Sequence, residues 1–128
     1  MEINETAIDK ILNYTPAYKQ KMLDRMADVH QIGQLTFDAR TQTLKSDTQT
    51  TPLTKTETKL LRLLCLHANE VIQRRVLLQH VWQSNDLSML RTLHTYINRL
   101  RKYFRADPSV RIDAIVGTGF RLVVPETD

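Results

Sequence analysis

The chain has 128 residues, 41% hydrophobic and 25% charged, with a formal charge of +4. Those figures describe one globular domain: enough chain for one core, too little for two ordinary domains, and too many apolar residues for disorder. A single cysteine, Cys65, excludes an internal disulfide and any zinc site needing two thiolates, and three glycines leave little for a nucleotide-cradling loop.

The N-terminus is acidic and polar, unlike a secretory signal. The densest apolar stretch, residues 60–66, is split by Arg62 and falls far short of the roughly 20 apolar residues of a membrane span. The expectation is a soluble cytoplasmic protein with no membrane partner. The charge is unevenly spread: residues 1–52 carry −1, residues 53–124 carry +7, and Glu126 and Asp128 carry −2. A basic region of this kind invites a polyanion, nucleic acid first.

Taken in chain order, residues 1–31 read as a helical arm or linker. Ile8, Ile11 and Leu12 fall at helical spacing. Thr15-Pro16 is a cap followed by proline at the first helical position, and Tyr18, Met22, Leu23, Met26 and Ala27 or Val29 make a second apolar stripe. Residues 32–54 turn Thr-rich and β-prone, with Asp38-Ala39-Arg40 and Ser46-Asp47 as turns, and predict a small antiparallel sheet of three or four strands. Thr54-x-x-Glu57 is a capping box before a helix over 55–68 that buries Leu60, Leu61, Leu64, Cys65 and Ala68 and stops at Asn69. Val71-Ile72 is a short extended piece. A second helix spans Arg74–Trp82 with Leu77, Leu78, Val81 and Trp82 inward, and Gln83–Ser88 is a polar loop.

A third helix runs from about Ser88 to Arg105, on the order of 27 Å. Leu93, Ile97, Leu100 and Phe104 share one face. The other carries Arg91, Thr92, Thr95, Asn98, Arg99 and Lys102, and no acid lies between Asp86 and Asp107. Solvated faces usually mix Glu and Lys, whereas every charge here is basic. Such a face suits the DNA major groove: Arg can contact guanine, Asn adenine and a Thr methyl the thymine methyl. Arg101 and Lys102, near its C-terminal end, suit phosphates. Residues 110–124 alternate as a hairpin around Gly117-Thr118-Gly119, and 125–128 form a tail. The order of helix, short strand, helix, loop, basic helix and hairpin is that of a winged helix-turn-helix, an α+β fold.

Four motifs carry a family resemblance: Leu53-Thr54-x-Thr56-Glu57-x-x-Leu60-Leu61; Arg75-x-x-Leu78-x-x-Val81-Trp82; Arg91-Thr92-x-x-x-Tyr96-Ile97-x-Arg99-Leu100-Arg101-Lys102; and Gly117-Thr118-Gly119-Phe120-Arg121-Leu122. In this order and spacing, over about residues 32–124, the chain resembles the OmpR/PhoB-type winged-helix DNA-binding domain, the effector half of many bacterial response regulators of two-component systems. The resemblance implies a four-stranded N-terminal sheet, three helices and a C-terminal wing. It also implies binding to direct repeats as a head-to-tail homodimer, and a loop 83–88 facing RNA polymerase. By the same likeness Arg91, Thr92, Thr95, Tyr96, Arg99 and Arg101 fall at DNA-contacting positions, with Arg91 and Tyr96 at the rim and Thr95 and Arg99 on base edges. Trp82 matches a tryptophan near the backbone, or is a core aromatic under the third helix. Arg111, Thr118 and Arg121 are available to phosphates from the wing.

Two positions depart from the family pattern. His94 stands where an Asp is common, and Val116 stands where an Arg often precedes the wing's Gly-Thr-Gly. Residues 1–31 cannot supply a phosphorylatable receiver domain, so the sequence reads as an orphan effector or as part of a longer regulator. No paired carboxylates, nucleophile-base arrangement or metal-ligand spacing is visible; no cofactor and no catalysis are expected. The departures and the helical arm keep a second class open, a winged-helix module that docks a protein and binds no DNA.

Overall fold

The computed structural model describes residues 16–17 and 28–125. Four short strands come first: β1 Val29–Ile32, β2 Leu35–Asp38, β3 Thr43–Lys45 and β4 Thr50–Pro52. They form an antiparallel meander in that order. Alternation sets the buried face: Leu35 and Phe37 of β2 are buried while Thr36 and Asp38 are half-covered. Phe37 sits opposite Leu44 and Ile32 opposite Leu35, so the pairing carries apolar residues onto one side.

β1 corrects the expected boundary at residue 32. Val29, His30 and Gln31 belong to a strand paired with β2, not to a helical arm. Pairing with the Thr-containing β2 overrides the helical spacing read through Val29. Pro16 and Ala17 are helical, in line with the Thr15-Pro16 start. The rest of the arm, with both of its apolar stripes, and residues 126–128 lie outside the described residues.

Three helices follow: α1 Lys55–Leu66, α2 Arg74–Trp82 and α3 Leu90–Tyr103. The capping box forms: Glu57 N–H donates to Thr54 Oγ1 at 3.1 Å, and Thr54 N–H to Glu57 Oε1 at 2.8 Å. α1 ends at Leu66, two residues short of the expectation, and Asn69 takes the left-handed conformation at φ 66°. Its N–H donates to the Leu122 carbonyl and its Oδ1 accepts from Val124 N–H, which ties the end of α1 to the last strand. Cys65 and Ala68 are only half-buried, because the core side of α1 is filled by Leu60, Leu61 and Leu64. α3 is shorter than the sequence suggests; 3-10 turns at Leu87–Met89 and Phe104–Ala106 take up its two ends.

The chain closes with β6 Arg111–Ile115 and β7 Gly119–Val123, and the two-residue β5, Ile72–Gln73, pairs with β7. Gly119 is required at that crossing. A Cβ there would collide with the Ile72 carbonyl oxygen, so only glycine lets β5 and β7 approach. The core joins all parts: Leu77, Leu78 and Val81 of α2, Leu93, Ile97 and Leu100 of α3, Phe120 and Leu122 of β7, and the inner face of the four-stranded sheet.

Candidate nucleic-acid interface

An α-helix turns 100° per residue, and that angle distributes the side chains of α3 into three sectors. Leu93, Ile97 and Leu100 face the core. Arg91, Thr95, Asn98 and Lys102, at spacings of four, three and four, form an exposed outward line. The flanking positions dock the helix on its neighbours.

On one flank the partner is the hairpin. The His94 ring meets Phe120 edge to face at 5.4 Å. Arg101 donates through Nε (3.1 Å) and Nη2 (2.8 Å) to the Ile112 carbonyl, and through Nη1 to Asn98 Oδ1 at 3.3 Å. Arg101, expected as a phosphate contact, is exposed and also holds the wing. Its guanidinium is a strut between α3 and β6. His94, at the position that departs from the family pattern, sits beside the wing.

On the other flank Tyr96 meets Trp82 of α2 edge to face at 5.5 Å, and both are half-buried. Arg99 lies 4.7 Å over the Tyr96 ring, a cation–π contact that orients the guanidinium without neutralising it. Tyr103 donates to Glu57 Oε2 at 2.7 Å, so the capping carboxylate of α1 also holds the end of α3. That bond raises the Tyr103 phenol above its ordinary value.

The two cations of the outward line are left uncommitted. Among the described residues no hydrogen bond or ion pair holds the Arg91 or Lys102 side chain. The Thr95 hydroxyl donates back to the Arg91 carbonyl at 3.0 Å. Thr92 is half-buried at the edge of the line.

The wing presents less charge than its sequence suggests. Arg111 Nε lies 3.0 Å from Asp113 Oδ1 and Arg121 Nη2 lies 3.3 Å from Asp113 Oδ2. Arg111 and Arg121 hold the Asp113 carboxyl below its usual range. Arg111 and Arg121, expected at phosphates, both engage this one carboxylate. At the tip Val116 is 97% exposed, and Thr118 is exposed after Gly117 at φ 73°.

Two cations missed at the sequence level stand close by. Arg74 N–H donates to the Thr118 carbonyl, and its Nη2 lies 3.4 Å from the Gly117 carbonyl. Arg74 and Arg75 share an open pocket of about 310 Å3 with Gly117 and Thr118. A signal was available: both arginines occupy the first turn of a helix with no acid there, where the helix dipole disfavours cations.

A loop joins α3 to β6, and Asp107 fixes it. Its carboxylate accepts from Gln34 N–H at 2.6 Å and from the Ser109 hydroxyl at 2.6 Å, which holds it below the usual carboxylate range. The β1–β2 turn is thereby clasped to the joint between α3 and the wing.

A three-helix core with a basic outward helix beside a β-hairpin is a winged helix-turn-helix. The chain belongs to the family described as the C-terminal part of transcriptional regulatory proteins, the OmpR/PhoB-type class, whose model matches residues 48–122. The transcriptional regulatory protein RprY of Bacteroides fragilis is 38% identical over 105 residues, covering 82% of this chain and 44% of the relative. Among solved structures, the DNA-binding domain of CpxR from E. coli is similar at TM-score 0.65 and 26% identity, covering 78% of this chain and all of that one. The DNA-binding domain of RstA from Klebsiella pneumoniae, solved with the RstA box, shares the fold at TM-score 0.65 and 23% identity, covering 76% of this chain and 98% of that one. The chain spans less than half the length of the curated relatives it matches. Among the described residues no helix is long and apolar enough to cross a membrane.

Proposed function

We propose that this chain binds double-stranded DNA by sequence, as a non-enzymatic cytoplasmic element of transcription regulation. α3 lies in the major groove. The observation that carries this reading is the exposed outward line of Arg91, Thr95, Asn98 and Lys102 on a helix without an acidic side chain. Arg99 and Asn98 read base edges, and the Thr95 methyl meets a thymine methyl. Arg91, Lys102 and Arg74 meet phosphates, with Thr92, Tyr96 and Trp82 along the rim. The wing follows the backbone through Thr118. Arg101 contributes by holding β6 against α3. Two copies sit head to tail on direct repeats, and loop 83–88, where Asp86 caps Ser88 N–H at 2.9 Å, faces RNA polymerase.

Fluorescence anisotropy of a random-sequence duplex tests the electrostatic part without knowledge of the operator. Binding at about 10⁻⁴–10⁻⁶ M is expected. If six phosphates are neutralised, log K falls with log salt at a slope of about −5. No binding at low salt would overturn the reading and direct the search to an acidic protein partner.

A further inference from the structure

Arg99 of α3 sits between two aromatic side chains with different commitments. It follows Tyr96 by three residues and precedes Tyr103 by four, so all three share one flank of the helix. The Tyr103 hydroxyl is already used: it donates to Oε2 of the buried Glu57 at 2.7 Å. The Glu57 bond and burial raise the Tyr103 phenol, and the nearby Arg99 charge opposes them. Glu57 Oε1 accepts from Thr54 N–H at 2.8 Å, so both oxygens of that carboxylate have partners. Arg99 gains no acidic partner of its own. Among the described residues no hydrogen bond or ion pair engages its guanidinium.

Tyr96 is braced from behind. Its ring meets Trp82 of α2 edge to face at 5.5 Å, with both rings half-buried, and Arg99 Cζ stands 4.7 Å from its centroid. The ring is fixed by packing between two helices, whereas Arg99 is exposed. A free arginine side chain spreads over many rotamers and must be ordered when it meets a base. An aromatic face attracts the cation through its quadrupole and leaves the N–H donors open. Guanine O6 and N7 accept such a pair of donors. A carboxylate at the same place would take up those donors, as Asp113 does in the wing.

We propose that Tyr96 is the positioning residue for base readout: its ring, braced by Trp82, presets the Arg99 guanidinium for a guanine edge, and preference at that base pair depends on the ring. The inference rests on the base-edge role proposed for Arg99. Tyr96 keeps its place at the rim, and its hydroxyl adds no selectivity.

Two measurements on the full chain test this. The first needs no DNA: the Arg99 side-chain protons should show upfield ring-current shifts in the wild type and in Tyr96→Phe, and lose them in Tyr96→Leu, with core amide shifts in place. The second is selection from a randomised duplex library. Arg99→Ala should relax one G·C pair. Tyr96→Leu should relax the same pair, with discrimination there falling about two- to tenfold, and leave the salt slope on random duplex unchanged because no charge is removed. Tyr96→Phe should keep the preference. Tyr96→Leu combined with Arg99→Ala should relax the pair no further than Arg99→Ala alone. Unshifted Arg99 protons in the wild type would overturn the proposal without reference to DNA. So would a Tyr96→Leu variant that weakens every sequence alike, the mark of a purely structural role. Tyr96→Phe relaxing the pair as far as Tyr96→Leu would assign the effect to the hydroxyl and overturn it too. An Arg99→Ala variant that relaxes no pair while the wild-type ring-current shifts persist would sink the base-edge reading itself, leaving the stack with nothing to position.

Discussion

The outward face of α3 and the wing are both basic in sequence, and the fold treats them in opposite ways. Arg91 and Lys102 project with no internal partner among the described residues, whereas Arg111 and Arg121 share Asp113. The difference teaches that a cation counted in sequence is not yet a cation available to a ligand. An arginine beside a carboxylate brings less net charge to a phosphate, and its net contribution shrinks accordingly. The wing tip, with Val116 97% exposed and no cation of its own, is therefore a weak electrostatic partner beside α3.

The largest expected effect belongs to the joint between the two regions. Asp107→Ala removes the acceptor for Gln34 N–H and Ser109, and should lower stability by about 2–4 kcal/mol, read by urea unfolding. The sign with pH follows from the depressed carboxyl. Its stabilisation is complete above the ordinary value of 3.8 and is lost as pH falls through the lower folded-state value. Acid unfolding of the wild type should thus lose a component that Asp107→Ala lacks. A variant with unchanged stability at pH 7 would refute the clasp.

Next comes the reading face. Arg99→Ala should weaken operator binding by about 1–3 kcal/mol and relax preference at one base pair. Lys102→Ala should weaken all duplexes alike and make the salt slope shallower by about 0.9. Selection from a randomised duplex library separates the two. Equal loss on every sequence from both variants would remove Arg99 from base readout.

The smallest effect tests the wing directly. Asp113→Asn releases Arg111 and Arg121, so random-duplex affinity should rise by less than about 1 kcal/mol, with a steeper salt slope. An unchanged slope would mean that the wing does not approach the backbone at all.

Local chemistry was legible before the fold. The α1 capping box needs only Thr54 and Glu57 three residues apart, and the α2 range Arg74–Trp82 follows from its apolar spacing. The β1 boundary was missed because Val29 fits a helical stripe as readily as a strand until β2 lies beside it. Arg101 was legible as a cation, but its bond to β6 was not, since nothing in the helix sequence announces the Ile112 carbonyl. Arg74 was passed over because the hairpin tip beside it lies far along the chain.

The sequence by itself determined the elements, their order and the basic face of α3, because caps, helical periodicity and hairpin alternation act over a few residues. Only the tertiary structure decided which cations stay open to a ligand. Those choices rest on bonds between distant residues: Arg101 to Ile112, 11 apart; Glu57 to Tyr103, 46 apart; Gln34 to Asp107, 73 apart. Their partners meet only when the core closes, and no short-range pattern encodes them.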